Sequence, residues 1–300
     1  MNRIIKLLFL ILLLVASGLR SGYAQDVPAK VQLSLLGGLE RQSLNWSIAG
    51  NTSGANPNVF SELKWQRVKG TLAVADLAWN AWRRFSVLGG YSRAFTTSGT
   101  VSDIDYAGDG RTQPIYTGSF LDNKGYTDAW HAGIAYRLVS NDQISVVPAA
   151  GYGVSRQSLY LTGKGGADPE LNSSYSTNWR GPYVTLSAAV KIAKLVKLGA
   201  AITYNQVVYN AVGNWNLRPQ FQHPVSYRHH AEGYGINGNA FVSVRLASRI
   251  SARIASNYNS WQTGKGTDML YLQNGEVDKT QLNGVYCKGF NVNMGLDLDF

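Results

Sequence analysis

The sequence predicts an all-β fold: a ten-stranded, antiparallel, up-and-down transmembrane β-barrel that follows a cleaved signal peptide. Three observations carry this expectation. The final stretch from Phe290 to Phe300 alternates strictly, with Phe290, Val292, Met294, Leu296, Leu298 and Phe300 apolar and Asn291, Asn293, Gly295, Asp297 and Asp299 small, polar or acidic. Such a period of two gives an extended strand one greasy and one polar face, as a span facing lipid on one side and a polar lumen on the other requires. Short and long connections alternate along the chain, the pattern of tight periplasmic turns and large surface loops. Beyond the amino-terminal region, no segment approaches the ~18 consecutive apolar residues that a transmembrane helix needs.

At the amino terminus, Arg3 and Lys6 precede an uninterrupted apolar run from Leu7 to Val15. Gly22 and Ala24 then stand at the small-residue positions of a cleavage site. The run is too short to span a bilayer, so 1–24 reads as a secretory leader and 25–300 as one outer-membrane domain. An aromatic carboxyl-terminal residue, Phe300, agrees with insertion into the outer membrane of a Gram-negative bacterium.

Ten strands are expected, at 31–48, 59–79, 83–98, 126–139, 143–163, 180–192, 195–212, 225–247, 249–263 and 284–300. Tight connections fall at 81–84, 140–143, 193–194 and 247–248. Long polar ones fall at 51–58, 98–125, 163–178, 213–224 and 264–283. Several strands exceed the ~10 residues that a membrane needs, so the barrel is expected to project beyond the lipid. The last strand should pair with the first and so remove both edges.

Composition narrows the functional classes. Charged residues make up only 15% of the chain, while Gly (32), Tyr (17) and Trp (8) are abundant, a mixture suited to turns, interfacial aromatics and alternating strands. The net charge of +10 falls by the three cations Arg3, Lys6 and Arg20 on cleavage. No basic run or nucleic-acid motif accompanies it, so anionic lipopolysaccharide, not nucleic acid, is the expected counter-charge. The single Cys287 excludes an internal disulfide and reads as a packing residue. His229 and His230 are adjacent, so on a strand they face opposite sides and cannot chelate one metal together. No metal or cofactor is expected, and the chain is expected to act as a monomer.

The chain resembles the omptins, ten-stranded outer-membrane endopeptidases of Gram-negative bacteria, from about Leu33 to Phe300. The resemblance is carried by Ala150-Gly151-Tyr152-Gly153-Val154-Ser155-Arg156 followed by Gly163-Lys164-Gly165-Gly166, and by Gly181-Pro182-Tyr183-Val184-Thr185-Leu186. Leu63-Lys64-Trp65, Val225-Ser226-Tyr227-Arg228 and the closing strand pair from Ala252 onward add to it. These pieces mark strands, so they speak for the fold more than for catalysis.

The resemblance implies a site in which an Asp-x-Asp dyad faces an Asp-x-His dyad across the mouth, with an attacking water between them. Val101-Ser102-Asp103-Ile104-Asp105-Tyr106 matches the first dyad. Spacing of two places both carboxylates on one face, where each raises the pKa of the other. The second dyad is missing: its positions fall near Asn216 and Arg218, and no Asp-x-His occurs anywhere in the chain. His223 in the same loop is the candidate surrogate base. The acidic group that gives omptins their dibasic preference falls near Ser43, with Glu40 nearby, so that preference need not carry over. The family's lipid A site maps to Tyr152 and Arg156, with Val154 in place of its Glu. Arg180 on the next strand is expected to complete a phosphate clamp. Lipopolysaccharide is accordingly an expected partner and a requirement for any activity.

Two functional classes stay open: an omptin-like aspartic-type endopeptidase with one dyad rebuilt, or a non-catalytic barrel serving as adhesin or structural protein, with the dyad a remnant. A pore is a third, weaker reading, since ten strands leave an interior largely filled by side chains.

Overall fold

The structure, a computed structural model, describes residues 29–164 and 168–300. The expected leader over 1–24, the start of the mature domain, and Gly165 and Gly166 lie outside them.

Alternating apolar and polar residues build one antiparallel sheet from thirteen strands: β1 (Val31–Ile48), β2 (Ser61–Trp82), β3 (Phe85–Gly108), β4 (Thr112–Leu121), β5 (Tyr126–Tyr136), β6 (Val139–Ser140), β7 (Ile144–Thr162), β8 (Asn172–Lys191), β9 (Val196–Asn214), β10 (Tyr227–Ala247), β11 (Ile250–Thr263), β12 (Gly266–Tyr271) and β13 (Val277–Asp299). A three-residue 3-10 turn, Asp109–Arg111, is the sole helical element among the described residues. Consecutive strands are neighbours along the sheet, except that β4 and β5 both lie between β3 and β7, that β6 pairs with β7 and not with β5, and that β11 and β12 both lie between β10 and β13. β1 pairs with β2 on one side and with β13 on the other, from Gln32↔Asp299 to Ile48↔Leu282.

This corrects the expected ten-stranded barrel: the structure supports a nearly helix-free antiparallel sheet of thirteen strands. Two stretches read as long loops are largely paired. Over 98–125, β3 continues to Gly108 and β4 returns alongside it. Over 264–283, β12 and the start of β13 form a hairpin. These segments are rich in Ser, Thr, Asp and Gly, and their pairing is satisfied by backbone hydrogen bonds without a continuous apolar face. Hydrophobic alternation alone therefore passes over them.

The sheet has two zones. Toward the end with the tight turns, large apolar side chains point outward, as at Leu39 (71% exposed) and Phe290 (50%). Toward the loop end they point inward, where Leu44, Leu63, Trp65, Tyr175, Trp179 and Leu282 form a closely packed core. β1 carries this inversion in its own sequence: Leu33, Leu35 and Leu39 belong to the odd-numbered face, and Leu44 and Trp46 to the even-numbered one. A strand in water on its outer side must bury its apolar residues within; a strand in an apolar surrounding can expose them. Cys287 is buried and free, against the Gln157 amide at 3.4 Å.

Candidate functional site at the loop-side mouth

Asp103 and Asp105 sit on β3 beyond the inward-facing core. Asp103 stands opposite Leu63, and Asp105 opposite Ser61, across the β2–β3 pairing. Leu63 is fully buried in the core, so both carboxyls look over its upper edge from the inner face. On the other flank, β4 puts Gly118 beside Asp103 and Tyr116 beside Asp105. The strand spacing brings the two carboxyls together as the sequence implies.

Arg218 comes to them from the loop between β9 and β10. That loop is shaped by short turns, with Arg218 N–H donating to Trp215 O at 3.0 Å and Phe221 N–H to Arg218 O at 3.0 Å. The Arg218 guanidinium lies 5.7 Å from the centre of the Tyr116 ring. It forms no salt bridge with either aspartate, yet its charge reaches both.

Burial, and next the Asp105 charge, push the Asp103 carboxyl up to about 7, with Arg218 working against them. Burial also raises Asp105, opposed by the Ser61 hydroxyl and Arg218. Tyr116 is raised by burial and by the neighbouring Asp103 charge. Tyr227 lies beneath, buried, its hydroxyl without a partner, with Trp215 packed edge-on at 5.0 Å.

A stability consequence follows for Asp103. Between the ordinary aspartate range near ~4 and about 7, the folded protein holds a proton that the unfolded chain has released. The stabilisation is fully present below that window and is lost as pH rises through it. Asp103→Asn is expected to flatten this slope when urea unfolding is compared at pH 5 and pH 8. An equal loss in parent and variant would contradict the assignment.

Asn216 and His223 are held elsewhere. Asn216 Oδ1 accepts from Asn172 N–H at 2.9 Å and from the Ser173 hydroxyl at 3.0 Å, and its amide donates to Glu170 O at 2.8 Å. It ties two loops together. His223 is exposed; its Nδ1 meets the Asn214 side chain at 2.8 Å and its Nε2 meets Arg218 O at 3.2 Å. The structure gives His223 neither a hydrogen bond nor an ion pair with Asp103 or Asp105.

A histidine–aspartate pair does exist, deeper in the core and assembled from distant strands. β10 and β12 set His229 directly opposite Asp268. His229 Nε2 lies 3.1 Å from Asp268 Oδ1, off the direction of a good hydrogen bond. His229 Nδ1 is 2.7 Å from the Tyr175 hydroxyl, which is 2.6 Å from the Tyr209 hydroxyl. The Thr280 hydroxyl donates to Asp268 Oδ2 at 3.1 Å. His229 is buried and His230 exposed, as adjacent strand residues must be. The pair carries no signal in sequence spacing, because only the strand register creates it. Among the described residues, no three His, Cys, Asp or Glu side chains gather as a metal site would require.

Tyr152, Arg156 and Arg180 are all exposed. Val154 of β7 stands opposite Arg180 of β8, and Arg156 opposite Asn178. The three side chains thus share one outward area of two neighbouring strands.

The profile of the family Pom, Protochlamydia outer membrane protein, matches residues 35–300. No curated protein matches the sequence. Among solved structures, the fold is similar to the outer membrane protease OmpT from Escherichia coli, at a TM-score of 0.70 and 14% identity, over 93% of this chain and 99% of that one. The translocator domain of the autotransporter NalP from Neisseria meningitidis matches at a TM-score of 0.38 and 10% identity, over 98% of this chain and 95% of that one, a likeness too low to argue from. The relation to omptins that is shown is one of structure, and the family profile that matches the sequence is a different one. The chain belongs to the Protochlamydia outer membrane protein family, and its place is the outer membrane of a Gram-negative bacterium.

Proposed function

We propose that the chain is a surface protein of the outer membrane whose loop-side mouth binds polar ligands, peptides among them, without hydrolysing them. One observation carries the reading: the cation reaching Asp103 and Asp105 is Arg218, where a proteolytic site needs a base. A guanidinium stays protonated at any physiological pH and cannot take a proton from water. His223 is engaged within its own loop. A carboxyl pair with one proton to share, beside an arginine and a phenol, offers donors and acceptors to a peptide backbone. The exposed outward face of the lower zone is read as lipid-facing, with Tyr152, Arg156 and Arg180 as a lipid A clamp at its upper border.

An endopeptidase is the second reading. It is favoured by the carboxyl of Asp103 pushed up to about 7 beside a second carboxyl, and by a fold similar to that of a protein described as an outer membrane protease. The test is to refold the mature protein with lipopolysaccharide and challenge it with a peptide library. The expected result is retention of peptides without cleavage, with retention weakened in Asp103→Ala/Asp105→Ala. Cleavage by the parent that is lost in the double variant would establish the enzyme instead.

A further inference from the structure

Three cations share a second area of the outer face, on the seam where the first and last strands meet. Arg41 of β1 stands directly opposite Lys69 of β2. Lys288 of β13 stands opposite Ser43, two residues along β1 from Arg41. All three side chains are exposed, and none makes a side-chain hydrogen bond or an ion pair within the described residues. Glu40, the adjacent acid, points the other way and accepts from Thr127 at 2.9 Å.

Like charges directly opposite one another on paired strands destabilise a sheet, because their Cβ atoms are only about 4.5–5.5 Å apart. Three of them without an acidic neighbour require a counter-charge from outside the chain. The location says which. Leu39 and Phe290, both outward and largely exposed, lie two residues from Arg41 and Lys288 toward the tight-turn end. An amphiphile lying along this wall would put its acyl chains on those residues and its headgroup on the cations. Arginine can grip a phosphate with two parallel N–H donors, and lysines add point charges.

We propose that Arg41, Lys69 and Lys288 form a phosphate-headgroup site for a membrane lipid. It is distinct from the area of Tyr152, Arg156 and Arg180 on β7 and β8. It rests on the lower outward zone facing lipid, but not on any property of the mouth.

Native mass spectrometry of the refolded mature protein, with diphosphoryl lipid A as probe, tests it. Arg41→Gln/Lys69→Gln/Lys288→Gln is expected to weaken lipid retention about a hundredfold, the summed attraction of three cations to an anionic surface. The loss should persist in a background that carries Arg156→Gln/Arg180→Gln, and Arg41→Lys/Lys69→Arg/Lys288→Arg should retain the lipid. Dephosphorylated lipid A should bind parent and triple variant alike, and inorganic phosphate should not compete. Unchanged retention in a triple variant of native β content would overturn the proposal. So would full competition by inorganic phosphate, which would mark a site for the free anion. Loss confined to the Arg156→Gln/Arg180→Gln variant would overturn this site while supporting the other.

Discussion

Trp65→Ala is expected to cost the folded protein about 3–5 kcal/mol, the range for deleting a large aromatic side chain from a packed core. Trp65 is fully buried among the inward residues of the loop-side zone. It stacks on Tyr175 at 5.3 Å with planes 15° apart, and its indole N–H donates to Tyr160 O at 3.3 Å. Across the pairings it stands opposite Leu44 and Val101, both buried. Its removal therefore forfeits apolar burial, an aromatic stack and a hydrogen bond, and leaves a void that rigid neighbouring strands cannot close. Trp82 makes the contrast. It is 60% exposed near the tight-turn end, and Trp82→Ala should change stability far less in the same urea titration of refolded protein. If Trp65→Ala unfolds within about 1 kcal/mol of the parent, the loop-side core does not hold the sheet together as described.

The zones of this sheet were partly legible in the sequence. Phe290 to Leu296 announced a strand because its two faces meet different surroundings, and alternation records that difference directly. The shift of apolar residues in β1, from odd positions through Leu39 to even positions from Leu44, accompanies the change from exposed to buried apolar side chains along the strand. Residues 98–125 and 264–283 were not legible as strands. In Thr112–Leu121 and Gly266–Tyr271 the apolar residues stand in adjacent pairs or runs, Ile115-Tyr116, Phe120-Leu121 and Met269-Leu270-Tyr271, and do not alternate, so the strand period does not show.

The site divides along the same line. Asp103 and Asp105 are two residues apart on one strand, so their shared face follows from local geometry alone. Arg218 could be named from the resemblance, but its reach to those carboxyls depends on the turns at Trp215 and Arg218. That His223 turns to Asn214 is a property of the folded loop, and no pattern of residue types foretells it. The His229–Asp268 pair was the least legible of all, because it exists only through the register of β10 with β12.

That pair sets the second large effect. Asp268→Ala is expected to destabilise the protein by roughly 1–3 kcal/mol, the cost of leaving buried polar groups without their partner. Asp268 is buried, faces the buried His229, and accepts the Thr280 hydroxyl. Its loss strips the carboxylate from beside His229 Nε2 and leaves the Thr280 hydroxyl without its acceptor, in a layer closed by Tyr175 and Tyr227. The penalty is mostly that of stranded polar groups, so removing both partners should cost less than the single changes suggest. His229→Phe/Asp268→Leu keeps apolar shape on both strands. It should recover part of the loss, although the Tyr175 hydroxyl then gives up its contact with His229 Nδ1 and keeps only Tyr209. A double-mutant cycle in urea reads the coupling directly, since the residues touch and their effects should not add. Additive costs within about 0.5 kcal/mol would mean that His229 and Asp268 are neighbours without being partners, and that the core is held by its aromatic packing alone.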